Sequence, residues 1–275
     1  LADMNGDGLQ DPVQLLVSGA SVTVEYKLNL GFGKWSANWV DTTLSGFNAS
    51  QAAVADLEDI NGDGLADIVA VTGNEVSLVL NRGGGTFAPL MTLTTAELGA
   101  GSIPVRSSTT TVTYADMNGN GSSDIVWFQS DGSASYLELF PVRPNLISRI
   151  ENGIGAVQLI SYGSSIFEQS RDAKAGKPWS HRVPNASVVV TKVDSYVTLT
   201  GNESGGLHEQ ITFRYHSGFY DGVEKQFRGY EGVERELLSD MAKDSMEPAL
   251  VVLDFDIGDL DPAFAGRQRK QQAYS

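Results

Sequence analysis

The sequence predicts an all-β chain: a partial β-propeller followed by an antiparallel β-sheet. Three observations predict it. An acidic, glycine-bearing nonapeptide recurs three times, at spacings of 56 and 57 residues. Each copy leads into a short apolar run of strand-forming residues. After about residue 142 the repeat stops, and longer runs that alternate apolar and polar residues take over. The expected domains are residues 1–142, three blade-like repeats of an incomplete propeller, and residues 143–275, a β-rich region.

The nonapeptides are "DMNGDGLQD" from Asp3, "DINGDGLAD" from Asp59 and "DMNGNGSSD" from Asp116. They run into "PVQLLV", "IVAVT" and "IVWF", and further strand-like runs, "SVTVEYKLNL" and "EVSLVLN", lie between them. A second element, Asn-x-Gly-x-Gly-x-aromatic, occurs as "NLGFGKW" at Asn29 to Trp35 and "NRGGGTF" at Asn81 to Phe87; the third repeat lacks it. A unit of this length with about four short strands has the size of a propeller blade. A blade cannot bury both its faces alone, so neighbours must cover it. Three copies do not close a ring, and with no initiator Met the chain reads as a piece of something longer.

Alternating oxygen-bearing residues around a glycine turn suit a hard cation, because successive side chains can converge on one point. Against the EF-hand pattern, Asp3, Asn5, Asp7 and Asp11 fall at positions 1, 3, 5 and 9, with the Leu9 carbonyl at 7. Asp59, Asn61, Asp63, Leu65 and Asp67 repeat this, and so do Asp116, Asn118, Asn120, Ser122 and Asp124 with one carboxylate fewer. Position 12 is Gln14, Ala70 or Trp127 and never Glu, and the flanks are strands. These are therefore expected to be EF-like calcium loops closed by the position-9 aspartate, with calcium as a structural cofactor. The competing reading is a network of Asx turns satisfied by its own amides.

In the second half, "LISRIENGIGAVQLISYGSS" reads as two strands around an Asn152-Gly153 turn. "SVVVTKVDSYVTLT" and "HEQITFRYHSGFYDG" read as half-buried strands joined by the turn "GNESGGLH". Tyr215, Phe219, Tyr220, Phe227 and Tyr230 are expected to pack within a sheet, and Arg228 to join a structural ion pair. "FEQSRDAKAGKPWSHRVPNA" reads as an exposed loop, "ERELLSDMAKDSMEP" as a short helix with Leu237, Leu238 and Met241 on one face, and "LDFDIGDLDPAFAG" as a solvated acidic loop.

The formal charge of −15, from 34 acids and 19 bases, opposes nucleic acid as a partner. The absence of cysteine excludes disulfides and thiolate zinc sites. No apolar run is long enough for a transmembrane helix, so no membrane segment is expected. HExxH, GxSxG and Walker A patterns are absent, and His181, His208 and His216 form no sequence cluster, so no catalytic residues are nominated and the segment is expected not to be an enzyme.

The nonapeptide with the Asn-x-Gly-x-Gly element resembles FG-GAP/VCBS repeats, the blades of integrin-α-type propellers. "NLISRIENGIGAVQLISYGSS" at Asn145 to Ser165, "ITFRYHSGFYDGVEKQFRGYEGVE" at Ile211 to Glu234 and "FAGRQRKQQAY" near the end resemble the middle region of bacterial Tc insecticidal toxin B subunits and related virulence-plasmid and Rhs-type proteins. The resemblance spans nearly the whole chain. It implies a secreted, extracellular toxin complex, with a cytoplasmic stage before release. In it a propeller links a β-shell, built with an Rhs-type C subunit, to a channel-forming subunit. Residues 143–275 would then begin the shell. The alternative is a calcium-dependent adhesion or ligand-binding propeller, which would continue with further acidic loops instead of leaving the repeat.

Overall fold

The computed structural model describes residues 1–96, 102–181, 183–197, 207–238 and 248–274. These form an all-β protein whose strand pairs are antiparallel, with two short helices. Contacts divide it into two compact units: Leu1–Met117 with Ser122–Pro144, and Asn118–Gly121 with Asn145–Ser275.

The first unit holds three small meander sheets, one per repeat. The first contains β1 (Val13–Ser18), β2 (Ser21–Tyr26) and β3 (Val40–Leu44). After a one-turn helix, α1 (Ala49–Ala52), the second contains β4 (Ala55–Glu58), β5 (Asp67–Thr72), β6 (Glu75–Val79) and β7 (Met91–Thr94). The third contains β8 (Thr111–Ala115), β9 (Asp124–Phe128) and β10 (Ala134–Leu137).

Side chains alternate across a strand, and β5 uses both sides. Ile68 and Ala70 pack with Val22, Val24 and Leu44 of the first sheet, whereas Val69 and Val71 pack with Ile125 and Trp127 of the third. The middle sheet is therefore buried on both faces, which is why the run "IVAV" of β5 is continuously apolar. Each such aliphatic side chain contributes on the order of 1.5–3 kcal/mol by leaving water. The outer face of the first sheet is polar: Gln14 Nε2 donates to Glu25 at 3.0 Å, and Thr23 and Thr43 hydroxyls meet at 3.3 Å. The repeats also join at their turns. Ala66 N–H donates to the Asp3 carbonyl at 2.8 Å, and Ser123 N–H to that of Ile60 at 3.2 Å.

The second unit is a seven-stranded sheet in chain order: β11 (Arg149–Glu151), β12 (Ala156–Ser164), β13 (Val188–Val197), β14 (Leu207–Asp221), β15 (Gln226–Leu238), β16 (Ala249–Phe255) and β17 (Gln268–Tyr274). The Asn152-Gly153 turn forms as expected, with the side-chain Oδ1 of Asn152 accepting the Ile154 and Ala156 amides at 2.9 Å. Tyr230 packs against Tyr215, Phe227 and Trp179, while Phe219 meets His181. Gly218 must stay bare here, because a Cβ would lie 2.9 Å from both Trp179 and Val183. Arg228 pairs with Asp221 at 3.1 Å.

Two expectations are corrected. The stretch read as an exposed loop contains helix α2 (Ser165–Lys174), capped by Ser164, whose hydroxyl accepts the Ile166 amide at 3.2 Å. Its buried positions are Ser165, Glu168 and Asp172, so it carries no apolar periodicity. Of the stretch read as a helix, Glu234 to Leu238 instead end β15: Glu234 to Leu237 pair with both β14 and β16, and this two-sided ladder overrides local propensity. Leu237 and Leu238 therefore point to opposite faces, not one. Met241, like the turn 201–206, lies outside the described residues.

Candidate functional site

The second and third acidic loops join the paired strands β4 and β5 and β8 and β9, the first precedes β1 and is closed by the Ala2–Asp11 bridge, and each is organised by its own backbone. In the first, Asp3 accepts the amides of Gly6 at 2.8 Å and Gly8 at 2.7 Å, and Asp7 accepts that of Leu9 at 2.8 Å. Asn5 accepts the Asp7 amide at 3.2 Å and donates to its carboxylate at 3.0 Å. The second loop repeats the scheme: Asp59 accepts from Asp63 and Gly64, Asn61 from Asp63, and Asp63 from Leu65, at 2.8–2.9 Å. In the third, which Asp116 opens, Asn118 accepts the Asn120 amide at 3.0 Å, and the Ser122 hydroxyl donates to the Phe140 carbonyl at 2.8 Å.

The position-9 aspartates are fully buried and close the loops. Asp11 uses both oxygens, accepting the Met4 amide at 3.0 Å and the Asn29 amide at 2.7 Å. Asp67 accepts the Asn81 amide at 2.8 Å, and its Oδ2 is buried without a hydrogen-bond partner. Asp124 accepts the Met117 amide at 2.9 Å, and its Oδ1 is the unpartnered one. The second motif thus has a structural job. Its asparagine supplies the amide that fastens the loop aspartate, and the third repeat, lacking the motif, leaves that oxygen bare. The Asn81 side chain adds bonds to the Met4 and Ala66 carbonyls, tying the second repeat to the first loop.

Burial is the main cause of an Asp67 carboxyl pushed up to about 7; the nearby Asp63 and Asp59 charges add to it and the Asn81 amide opposes it. Burial likewise raises Asp59, Glu58 and Asp124. A cleft of about 350 Å³ between the first two loops is lined by Asp3, Gln10, Glu58 and Asp59 among others. Carboxylates, an amide oxygen and a main-chain carbonyl are the hard oxygen donors a calcium ion takes, and the bare buried Asp67 oxygen suits such a cation. Among the described residues no group of three or more His, Asp or Glu side chains is arranged to hold a metal ion. In this geometry most loop oxygens take amide N–H groups.

Sequence reasoning missed a polar cluster in the second unit. The ladder between β13 and β14 runs only from Lys192↔Thr212 to Val197↔Leu207. Beyond it, α2 takes the place of a strand. Glu168 accepts the Tyr215 amide at 2.7 Å, and Arg171, paired with Glu168 at 2.7 Å, donates to the Tyr215 carbonyl at 3.3 Å. Asp172 accepts the Trp179 indole at 2.7 Å and meets His216 Nδ1 at 2.7 Å; His216 Nε2 lies 3.4 Å from Glu234. Burial would raise the Asp172 carboxyl, but hydrogen bonds from Trp179, Arg171 and His216 outweigh it and hold it below the ordinary range. A second such carboxylate, Asp194, is held by Lys192, His208 and Gln210, with Tyr196 stacked on His208. These residues are scattered between 168 and 234, so no local motif marks them.

The family model described as the insecticide toxin TcdB middle/N-terminal region matches residues 81–237. Among solved structures, the chain is similar to the crystal structure of TcdB2-TccC3, with a TM-score of 0.72 and 26% identity over 96% of this chain and 12% of that one. It is similar to the Tc holotoxin pore of Photorhabdus luminescens, with a TM-score of 0.71 and 25% identity over 94% and 12%. For TcdB2-TccC3-Cdc42 the values are 0.70 and 25%, over 94% and 12%. The chain spans about an eighth of the length of the chains it matches. No curated protein sequence matches it.

Proposed function

The chain belongs to the insecticide toxin TcdB middle/N-terminal region family, and from that premise we propose that it is a non-catalytic scaffold and docking segment of a secreted bacterial toxin complex. The observation that carries this reading is the order of the two units: three stacked repeat sheets, then a seven-stranded sheet, aligning over 96% of the chain with TcdB2-TccC3.

In this reading the first unit is part of an FG-GAP/VCBS-type propeller that meets a channel-forming subunit. The second unit begins the shell shared with an Rhs-type C subunit. The recurrence of loop, sheet and turn contact in each repeat supports blades. The pairing of TcdB2 with TccC3, and the holotoxin pore relative, support the two partners. A scaffold also suits the ionisable clusters, since Glu168 and Asp172 fasten α2 to β14 and Asp194 joins β13 to β14. Calcium would be held by Asp3, Asn5, Asp7, Leu9 and Asp11, by Asp59, Asn61, Asp63, Leu65 and Asp67, and more weakly by Asp116, Asn118, Asn120, Ser122 and Asp124. Its chemistry there is to neutralise converging carboxylates and fasten loops; the chain's own amides orient the oxygens.

The test is co-purification of the full-length subunit with the channel-forming subunit and with the C subunit of the same assembly. Stable complexes with both are expected. Failure to bind the channel-forming subunit would overturn the docking role.

A further inference from the structure

The loop that joins β2 to β3 breaks local rules in one repeat only. Phe32 holds a backbone φ of 50°, a region that bulky residues avoid, and its side chain is fully exposed. At the equivalent place the second repeat has Gly84, with φ of 61°, and opposite Leu30 it has Arg82. Leu30, Phe32 and Trp39 are exposed, and their counterparts Arg82, Gly84 and Met91 are exposed too in the second repeat, which has a preceding repeat packed against it. An outlier kept together with an exposed apolar group points to function, because folding alone would replace both.

The loop is built firmly. Asp11 accepts the Asn29 amide at 2.7 Å, Asn29 accepts the Gly31 amide at 3.0 Å, and Leu30 N–H donates to the Lys34 carbonyl at 2.9 Å. Its charge is also singular. Residues 1–144 hold sixteen acids and five bases, and their only lysines are Lys27, which precedes this loop, and Lys34, which lies within it between Phe32 and Trp35. Lys27 Nζ lies 6.0 Å from the Trp39 ring.

We propose that the loop Leu30–Trp39 is the anchor by which the first unit grips a protein partner whose surface offers an apolar pocket bordered by carboxylates. The proposal rests on the docking reading above and assigns that role in the channel-forming subunit. Large aromatic side chains on a preorganised base are what dominate protein interfaces. A basic rim on an otherwise acidic body selects an acidic border and steers approach. A lipid surface would also accept tryptophan and lysine, but the acidic body around the loop opposes anionic headgroups.

The experiment compares the full-length subunit with its Leu30→Arg, Phe32→Gly double variant, which carries the second repeat's residues, and with Trp39→Ala. Affinity for the channel-forming subunit, melting temperature and binding to anionic phospholipid vesicles are measured. The double variant and Trp39→Ala are each expected to bind the subunit at least about tenfold more weakly. The double variant should keep or raise the melting temperature, since glycine relieves the backbone. Lys34→Glu should weaken binding and reduce its salt dependence. Undiminished affinity in the double variant, with the wild-type subunit binding normally, would overturn the anchor and leave the docking role standing. No binding by the wild-type subunit would overturn both. Vesicle binding that depends on Phe32, with no effect on the subunit, would overturn the protein pocket in favour of a membrane.

Discussion

Asp67 accepts the backbone amide of Asn81 at 2.8 Å, the same bond that joins Asp11 to Asn29 at 2.7 Å. Two motifs that are separate in sequence are thus one device, a buried carboxylate that fastens an acidic loop to the following turn. The third repeat has the aspartate but not the asparagine, and the Asp124 oxygen not taken by the Met117 amide is bare.

This ranks Asp11 above Asp124. Asp11→Ala strands two amides, while Asp124→Ala strands one and removes an unpaired buried oxygen. Each buried amide left unpaired costs about 1–3 kcal/mol. Urea unfolding should therefore find Asp11→Ala more destabilised than Asp124→Ala. The reverse order would show that these bonds do not set loop stability.

The raised Asp67 carboxyl gives a pH dependence with a definite sign. Its folded value of about 7 exceeds the ordinary 3.8, so the folded state prefers the protonated form. The associated stability is present below about pH 4 and is lost as pH rises through 7. With chelator, the chain should be more stable at pH 5 than at pH 8 by a few kcal/mol at most, a rough figure from the size of the shift. Asp67→Asn should flatten that difference in urea titrations at the two pH values.

Calcium would act in the opposite sense, since it binds the ionised loops and only the folded state presents them. At a free concentration about 100 times the dissociation constant, such binding stabilises by roughly 2.7 kcal/mol per site. The melting temperature at pH 7.5 should fall on adding EDTA and recover with calcium. Identical melting in both conditions would remove calcium from the account.

In the second unit, Glu168 replaces a neighbouring strand for Tyr215. Glu168→Ala should leave the Tyr215 amide without its partner and Arg171 with Asp172 as its remaining carboxylate, costing about 1–3 kcal/mol once the partial exposure of Arg171 is allowed for. Hydrogen exchange should locate the loss at Tyr215 and α2. Unchanged protection there would mean that the helix docks by other contacts.

Much of the fold was legible because repeats and alternation are local signals. The three loops, the β5 run buried on both faces and the Asn152-Gly153 turn all follow from neighbouring residues. What stayed hidden was non-local or polar. Helix α2 buries Ser165, Glu168 and Asp172, so the apolar period that announces a helix is missing. Glu234 to Leu238 has helix-forming residues, yet partners on both sides hold it in the sheet. The Asp67–Asn81 bond had one visible trace: both motifs occur together in two repeats, and the second is absent from the third.

Hydrogen–deuterium exchange of the full-length subunit, with and without the channel-forming subunit, distinguishes a first unit that docks from a second that belongs to the shell. New protection is expected in peptides from residues 1–142, centred on the Leu30–Trp39 loop, and none in residues 143–275. Protection confined to residues 143–275, or no protection in a formed complex, would contradict docking by the first unit.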